Sequence, residues 1–129
     1  MANTVHGAII YSDTSEQDNF LFRVSLKAVI FNAEGHVLVV PKQQAEFIWD
    51  LESVDYQALM DTVHKVGNQL REVLDAPYVG VEVIGVDVPH AHVHVVPFAS
   101  AKDLHRSGSV SDEPDHSSLE KIAEKVKIN

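Results

Sequence analysis

Residues 89–97 read PHAHVHVVP, and this stretch determines how the rest of the chain is interpreted. Side chains two residues apart on a β-strand point to the same face. The pattern therefore predicts a strand over residues 90–98 with three imidazoles on one surface, successive ones ~7 Å apart. The three imidazoles belong to His90, His92 and His94. The intervening alanine and valines then face the opposite way, into a core.

The residues before this strand predict a hairpin. Period-two alternation over residues 20–31 is typical of a long antiparallel strand with one buried face. Residues 32–35 read NAEG, a turn signal, and a return strand over residues 36–40 stops at Pro41. Two further strands are expected, a short one at residues 5–11 and one at residues 79–86.

Two segments predict amphipathic helices. Between Ser53 and Leu74 apolar residues recur at spacings of three and four, which places them on one helical face. Ser53 is expected to cap the first turn, where Asp55 adds negative charge at the positive end of the dipole. Ser117 and Glu120 have the spacing of a capping box ahead of a C-terminal helix.

The order of these elements predicts an α+β fold. We expect an antiparallel β-sheet with one long helix packed across it, followed by the C-terminal helix. A chain of 129 residues has the size of one domain, so residues 1–129 are expected to form a single domain. Within it, residues 1–19 and 99–116 are expected to be less regular.

Composition excludes several classes of protein. The chain has 10 Lys and Arg against 19 Asp and Glu, a formal net charge of −9. That charge repels polyphosphate backbones, so we expect no nucleic-acid polymer as a partner, although a local pocket can hold a small nucleotide. The chain has no cysteine, which excludes disulfides and thiolate-bound zinc. With no apolar run near ~20 residues and no basic segment typical of a signal peptide, we expect a cytoplasmic protein without a membrane partner.

The alternating histidines are open to three interpretations. They can be a solvated strand face without a function. They can be metal ligands, although the outer pair on a strand is ~13 Å apart and further ligands would have to come from elsewhere. They can also be a site for nucleophilic or proton-transfer catalysis, because a neutral imidazole nucleophile can stand beside a hydrogen-bond donor at pH 7.

The histidine stretch resembles the signature of the histidine triad (HIT) superfamily of nucleotide hydrolases and transferases. Residues 35–42, GHVLVVPK, resemble an upstream strand of the same family, and the long helix lies in the usual place between the two. The resemblance covers residues 35–98. It implies an antiparallel sheet paired into a homodimer. Trp49 lies between the two motifs and is open to three interpretations, a core position, a pocket wall or a contact with a partner copy, of which the first and the third are favoured.

The resemblance also implies a mechanism. His92 would attack the α-phosphorus of a nucleoside phosphoramidate or a (di)nucleoside polyphosphate and form a nucleotidyl-histidine intermediate. His90 and His94 would bind phosphate oxygens or assist the leaving group. Water would then release the nucleoside monophosphate. This is covalent catalysis that needs neither a metal nor a cofactor.

Four other positions are expected to contact the substrate. Gly85 matches a family glycine whose backbone N–H approaches the phosphate, and Lys42 can meet a phosphate. Gln44 stands where the family often has a histidine, and it can hydrogen-bond but cannot act as an acid. Asp87 replaces a hydroxyl donor with an anion, and two unit charges 4 Å apart repel by about 4 kcal/mol at an effective dielectric of 20.

A second hypothesis comes from a different class of protein. Ala28 is expected near the family's ribose-binding aspartate, and its methyl group cannot bind a ribose. Together with Gln44 and Asp87, this residue suggests a non-catalytic nucleotide-binding module or a His-rich metal-binding module on the same fold.

Overall fold

The computed structural model describes residues 8–13, 26–30, 34–86, 88–102 and 116–128. The described strands are β1 (Ala8–Asp13), β2 (Leu26–Ile30), β3 (Val37–Pro41), β4 (Tyr78–Glu82) and β5 (Val93–Phe98). The long helix α1 is Ser53–Leu74, the C-terminal helix α2 is His116–Val126, and a 3-10 turn at Ile48–Asp50 precedes α1. The strands form one antiparallel sheet in the order β1-β2-β3-β5-β4. The predicted α+β fold is confirmed.

One face of the sheet packs against the helices. Val37 pairs with Val95 and Val39 with Val93, and all four side chains are fully buried. Both central strands contact α1, while α2 lies against β1. The buried helix residues of this core are Leu59, Val63, Val66, Leu70, Ala123 and Val126. The apolar residues that the sequence placed on one helical face therefore lie in the core, as expected. Their burial is the main contribution that holds the helices against the sheet.

The opposite face carries the central histidine. Directly paired residues of antiparallel strands point to the same side. A continuous row of pairs crosses all five strands on this side: Ile9 with Val29, Val29 with Leu38, Leu38 with His94, and His94 with Glu82. We call this side of the sheet the histidine face.

Several predicted strand limits are wrong. β5 begins at Val93 rather than His90, because the Ala91 N–H donates to the carbonyl of Ala45 (2.8 Å). β4 ends at Glu82 rather than at residue 86. Its partner β5 begins at Val93, so the pair Glu82–His94 is the last pair between the two strands. The described first strand reaches Asp13. Of the long strand predicted over residues 20–31, the described part is Leu26–Ile30, and the remainder lies outside the described residues.

The span of α1 matches the prediction, but its caps differ. The N-cap is Glu52 rather than Ser53, and no side chain caps the helix; its first turn is closed by the backbone bond from Tyr56 N–H to the Glu52 carbonyl. Asp75, in the left-handed conformation at φ 54°, ends the helix. α2 begins at His116, so Ser117 lies inside its first turn rather than at the N-cap. Neither helix has a stretch long and apolar enough to cross a bilayer, among the residues the structure describes.

Candidate active site

Four histidines from two strands and their flanking segments form the site. His36 lies immediately before β3 and is 2% exposed. Its Nε2 is 2.9 Å from Nδ1 of His94, which is in β5, so these two nitrogens share a hydrogen bond. The ring of His92 meets the ring of His94 edge-on, with 5.0 Å between centroids. The structure thus joins His36, His94 and His92 into one contiguous cluster, and the sequence had linked His36 only to the upstream motif.

The orientation of His92 is set by a backbone carbonyl. Its Nδ1 lies 2.8 Å from the carbonyl oxygen of His90. Because a carbonyl oxygen can only accept, Nδ1 carries the proton. In a neutral imidazole the other nitrogen, Nε2, then keeps its lone pair. The arrangement therefore leaves the lone pair of His92 on Nε2, in one defined tautomer.

His94 is held in its neutral form. Burial of the ring, with a smaller contribution from the neighbouring charge of His92, lowers the pKa of His94 from 6.5 to about 4. At pH 7 the ring therefore carries one proton, and its bond with His36 decides which nitrogen holds it. If His36 Nε2–H donates, His94 Nδ1 accepts and the His94 proton lies on Nε2.

His90 is placed differently from the other two members of the alternating motif. It precedes β5, and its Nε2 lies 2.6 Å from the carbonyl oxygen of Pro41, the last residue of β3. The imidazole therefore donates to the backbone of the neighbouring strand. The next residue, Ala91, is buried and bonded through its N–H to Ala45. This segment is therefore bonded both to the end of β3, at Pro41, and to the loop that follows it, at Ala45.

Three of the four predicted substrate-contact residues lie in the loops that follow β3 and β4. Lys42 and Gln44 are exposed in the loop that follows β3. Gly85 lies between β4 and β5 at φ 73°, a conformation that glycine adopts without strain. A Cβ added there would lie 3.5 Å from the Phe47 ring. Asp87 lies outside the described residues.

Two sequence-based expectations are corrected by the geometry. Ala28 pairs with Val39 on the helix-facing side and is fully buried, so its side chain is on the opposite face of the sheet from His94. Its neighbour Val29 is the residue on the histidine face. Trp49 is 78% exposed and does not belong to the core, which leaves a contact with a partner copy among its expected roles.

A metal centre would need several converging ligands. Within the described parts of the chain, no group of three or more His, Cys, Asp or Glu side chains is arranged to hold a metal ion. The imidazole of His90 points to the Pro41 carbonyl and that of His94 to His36, so the three alternating histidines do not converge on one point.

Comparison with known proteins identifies the family of this chain. Residues 14–100 match the HIT domain, and the chain belongs to the HIT family. It is 33% identical over 85 residues to the bis(5'-nucleosyl)-tetraphosphatase [asymmetrical] of Schizosaccharomyces pombe. That alignment covers 59% of this chain and 47% of the yeast protein, so the chain spans about half the length of this curated relative.

Solved structures share the fold. A histidine triad protein from Sinorhizobium meliloti 1021 superposes with a TM-score of 0.70 at 16% identity, covering 94% of this chain and 87% of the other. A hypothetical histidine triad nucleotide-binding protein from Sulfolobus tokodaii strain 7 gives a TM-score of 0.69 at 20% identity, covering 93% and 80%. At these identities the likeness establishes the HIT fold.

Proposed function

We propose that this chain cleaves nucleotides at the α-phosphorus through a nucleotidyl intermediate on His92. The substrates are nucleoside phosphoramidates or (di)nucleoside polyphosphates. The observation that carries the proposal is the bond from His92 Nδ1–H to the His90 carbonyl, because it leaves the lone pair on Nε2. The family also includes a relative named as a dinucleoside tetraphosphatase.

In the first step His92 Nε2 forms a bond to the α-phosphorus. The phosphorus–nitrogen or phosphorus–oxygen bond to the leaving group breaks, and the leaving group takes the electron pair and a proton from water. The nucleotidyl-imidazole is now cationic. Its Nδ1–H remains on the His90 carbonyl, in a hydrogen bond that the positive charge strengthens. In the second step hydroxide attacks phosphorus, the nitrogen–phosphorus bond breaks, and its electron pair returns to Nε2.

The neutral state of His94 suits this intermediate. Its ring is 5.0 Å from that of His92, and a second positive charge at that distance would oppose the cation by about 3 kcal/mol at an effective dielectric of 20. A low pKa for His94 avoids this repulsion. With His36 Nε2–H donating to Nδ1, His94 offers Nε2–H to a phosphate oxygen. His36 is then the residue that fixes the donor.

The loops would hold the remaining phosphates. Gly85 offers a backbone N–H from a conformation closed to most residues, and Lys42 offers a cation. Gln44 offers an amide. Asp87 is proposed to disfavour substrates with many phosphate charges, because its carboxylate would repel them. The net charge of −9 on the chain adds to this repulsion.

The deciding experiment measures turnover of adenosine 5′-phosphoramidate and diadenosine tetraphosphate. His92→Ala should lower turnover about 10³-fold or more, as loss of a nucleophile does. His64→Ala is the matched control, because His64 is an exposed histidine on α1 whose ring contacts Asn68. An alkaline quench in single-turnover conditions should trap the nucleotidyl adduct by mass spectrometry. Full activity of a folded His92→Ala variant contradicts the mechanism, and nucleotide binding without turnover by the wild type supports the binding module instead.

The proposed assembly is a homodimer through β4. This strand is one edge of the sheet, and its outer side pairs with no strand among the described residues. Exposed apolar side chains are concentrated on this strand and on the residues that follow it. We call the surface that they form the β4 edge, and its residues are Tyr78, Val81, Val83, Ile84 and Val86. The other edge is partly used, since the Ile128 N–H donates to the Ile10 carbonyl of β1. A second copy added antiparallel at β4 satisfies the backbone and covers the apolar side chains.

A further inference from the structure

A carboxylate stands beside the candidate active site on the histidine face. Glu82 is the last residue of β4, is exposed, and pairs directly with His94 of β5. Side chains paired in this way in antiparallel strands point to the same face, with their Cβ atoms about 4.5–5.5 Å apart. The ring of His94 in turn meets that of His92 with 5.0 Å between centroids. A phosphate bound by these two imidazoles would therefore lie within the electrostatic reach of Glu82.

The negative charge of Glu82 is not offset by the histidine opposite it. Burial of the ring, with a smaller contribution from the charge of His92, lowers the pKa of His94 from 6.5 to about 4. His94 is therefore neutral at pH 7, whereas an exposed carboxylate is ionised. The pair of Glu82 and His94 thus presents a net negative charge to a substrate at pH 7.

The segment that joins β3 to α1 adds more negative than positive charge to the surroundings of the site. It borders the site, because the Ala45 carbonyl accepts from the Ala91 N–H. Its exposed charged residues are one cation and three anions: Lys42, Glu46, Asp50 and Glu52. Chains of phosphates are ordinarily bound by Lys and Arg side chains. This segment therefore favours a substrate with little negative charge beyond its α-phosphate.

We propose that Glu82 is a specificity-determining residue, whose carboxylate opposite His94 disfavours leaving groups that carry negative charge. Every substrate of the proposed reaction brings the same α-phosphate, so the substrates differ in the charge of the group that leaves. Two unit charges about 10 Å apart at an effective dielectric of 20 repel enough to change a rate about tenfold. Phosphoramidates of neutral or cationic amines are therefore preferred over polyphosphates. This inference rests on the proposed function and names which of its substrate classes the site accepts.

The test uses three adenosine 5′-phosphoramidates whose leaving amines have the same length and different charge. The amines are ethylenediamine, propylamine and β-alanine, which end in an ammonium group, a methyl group and a carboxylate. The ratio of kcat/KM between Glu82→Gln and the wild type is taken for each amine, because the intrinsic reactivity of the conjugate cancels in this ratio. Glu82→Gln should raise kcat/KM about tenfold for the β-alanine conjugate and lower it about 3- to 10-fold for the ethylenediamine conjugate. The propylamine conjugate should change by less than about twofold.

The matched control is Glu72→Gln, which removes the same charge from an exposed position of α1, on the face of the sheet opposite His94. It should change the three values alike. Equal ratios for the three amines in Glu82→Gln overturn the inference, while turnover of the conjugates still supports the proposed function. If the wild type turns over none of them, the proposed function fails, and calorimetric dissociation constants of the same conjugates replace kcat/KM. Constants that Glu82→Gln shifts alike for the three amines, or absence of binding, then overturn the inference.

Discussion

His36 and His94 are separated by 58 positions in the sequence, and their nitrogens Nε2 and Nδ1 are 2.9 Å apart in the folded chain. The ring of His36 is buried, whereas that of His94 is partly exposed on the histidine face. The rings meet edge-on with 5.0 Å between centroids. The buried imidazole of His36 thus binds Nδ1 of His94 and orients this partly exposed ring before any ligand binds.

Replacing the buried partner should weaken both the fold and the site. His36→Leu keeps most of the volume but removes the nitrogen that faces His94. The substitution removes this bond and leaves Nδ1 of His94 without its partner from His36. The free energy of unfolding should therefore fall by about 1–3 kcal/mol. Urea denaturation at pH 7 measures the change. The control His64→Leu, at an exposed position of α1, should stay within about 0.5 kcal/mol of the wild type. Equal effects of the two substitutions would contradict a special role for the pair.

The low pKa of His94 predicts how stability depends on pH. The ring takes up a proton near pH 6.5 in the unfolded chain and near pH 4 in the folded one. Between these values the unfolded state binds more protons, so this contribution is fully present above pH 6.5 and is lost as the pH falls toward 4. The loss should be on the order of 1–2 kcal/mol, allowing for solvent screening at a partly exposed ring.

The measurement that isolates this term compares the wild type with His94→Asn. Urea denaturation at pH 7 and at pH 4.5 gives the change in unfolding free energy for each protein, and groups other than His94 contribute to both. The wild type should lose more stability than the variant over this interval. An identical loss in the two proteins would show that His94 titrates normally in the folded state.

The homodimer proposal predicts a difference between the two edges of the sheet. Val81 on β4 is 53% exposed and Ile9 on β1 is 52% exposed, so lysine at either position is compatible with the protomer fold. Val81→Lys should raise the dimer dissociation constant about 100-fold or more, because the interface would bury an unpaired ammonium group. Sedimentation equilibrium measures this constant. Ile9→Lys should leave it unchanged, and a dimer that survives Val81→Lys would exclude the β4 edge as its interface.

Two glycines should respond to alanine in opposite directions. Gly35 has φ 94°, and a Cβ there would lie 2.4 Å from Leu74 Cδ1, so Gly35→Ala should lower the free energy of unfolding by about 1–3 kcal/mol. Gly67 is inside α1, and its added Cβ would have its nearest neighbour at 4.0 Å. Gly67→Ala should therefore raise the free energy of unfolding by about 0.5–1 kcal/mol. Thermal or urea denaturation of both variants tests the pair, and a loss at Gly67 equal to that at Gly35 would contradict the backbone argument.

Local periodicity was sufficient to predict much of this fold. The spacing of apolar residues placed α1 at Ser53–Leu74 because a helix buries every third or fourth side chain along one face. Alternation likewise placed Val93 and Val95 in the core and His94 on the other side. These features depend on neighbours in sequence, and such patterns can be read without knowledge of the partner elements.

The contacts that define the site could not be read in the same way. The bond between His36 and His94 depends on the register of β3 against β5, which no local pattern in either segment specifies. β5 begins only at Val93 because the Ala91 N–H binds the carbonyl of Ala45. Ala45 is in a loop, and nothing in the sequence around it indicates this contact. The face on which Ala28 lies could likewise be assigned only from the pairing of β2 with β3. Alternation alone does not say which face of the sheet packs against the helices.

The row of paired residues across the five strands also constrains how the sheet can assemble. Slippage of β5 by a single residue would turn His94 toward the helix-facing side and Val93 and Val95 toward the histidine face, because side chains alternate between faces. Imidazoles buried beneath a helix without acceptors would make the mispaired sheet markedly less stable. The alternation of His94 with Val93 and Val95 therefore disfavours a one-residue slip, and the bond between His36 and His94 forms only in the native register.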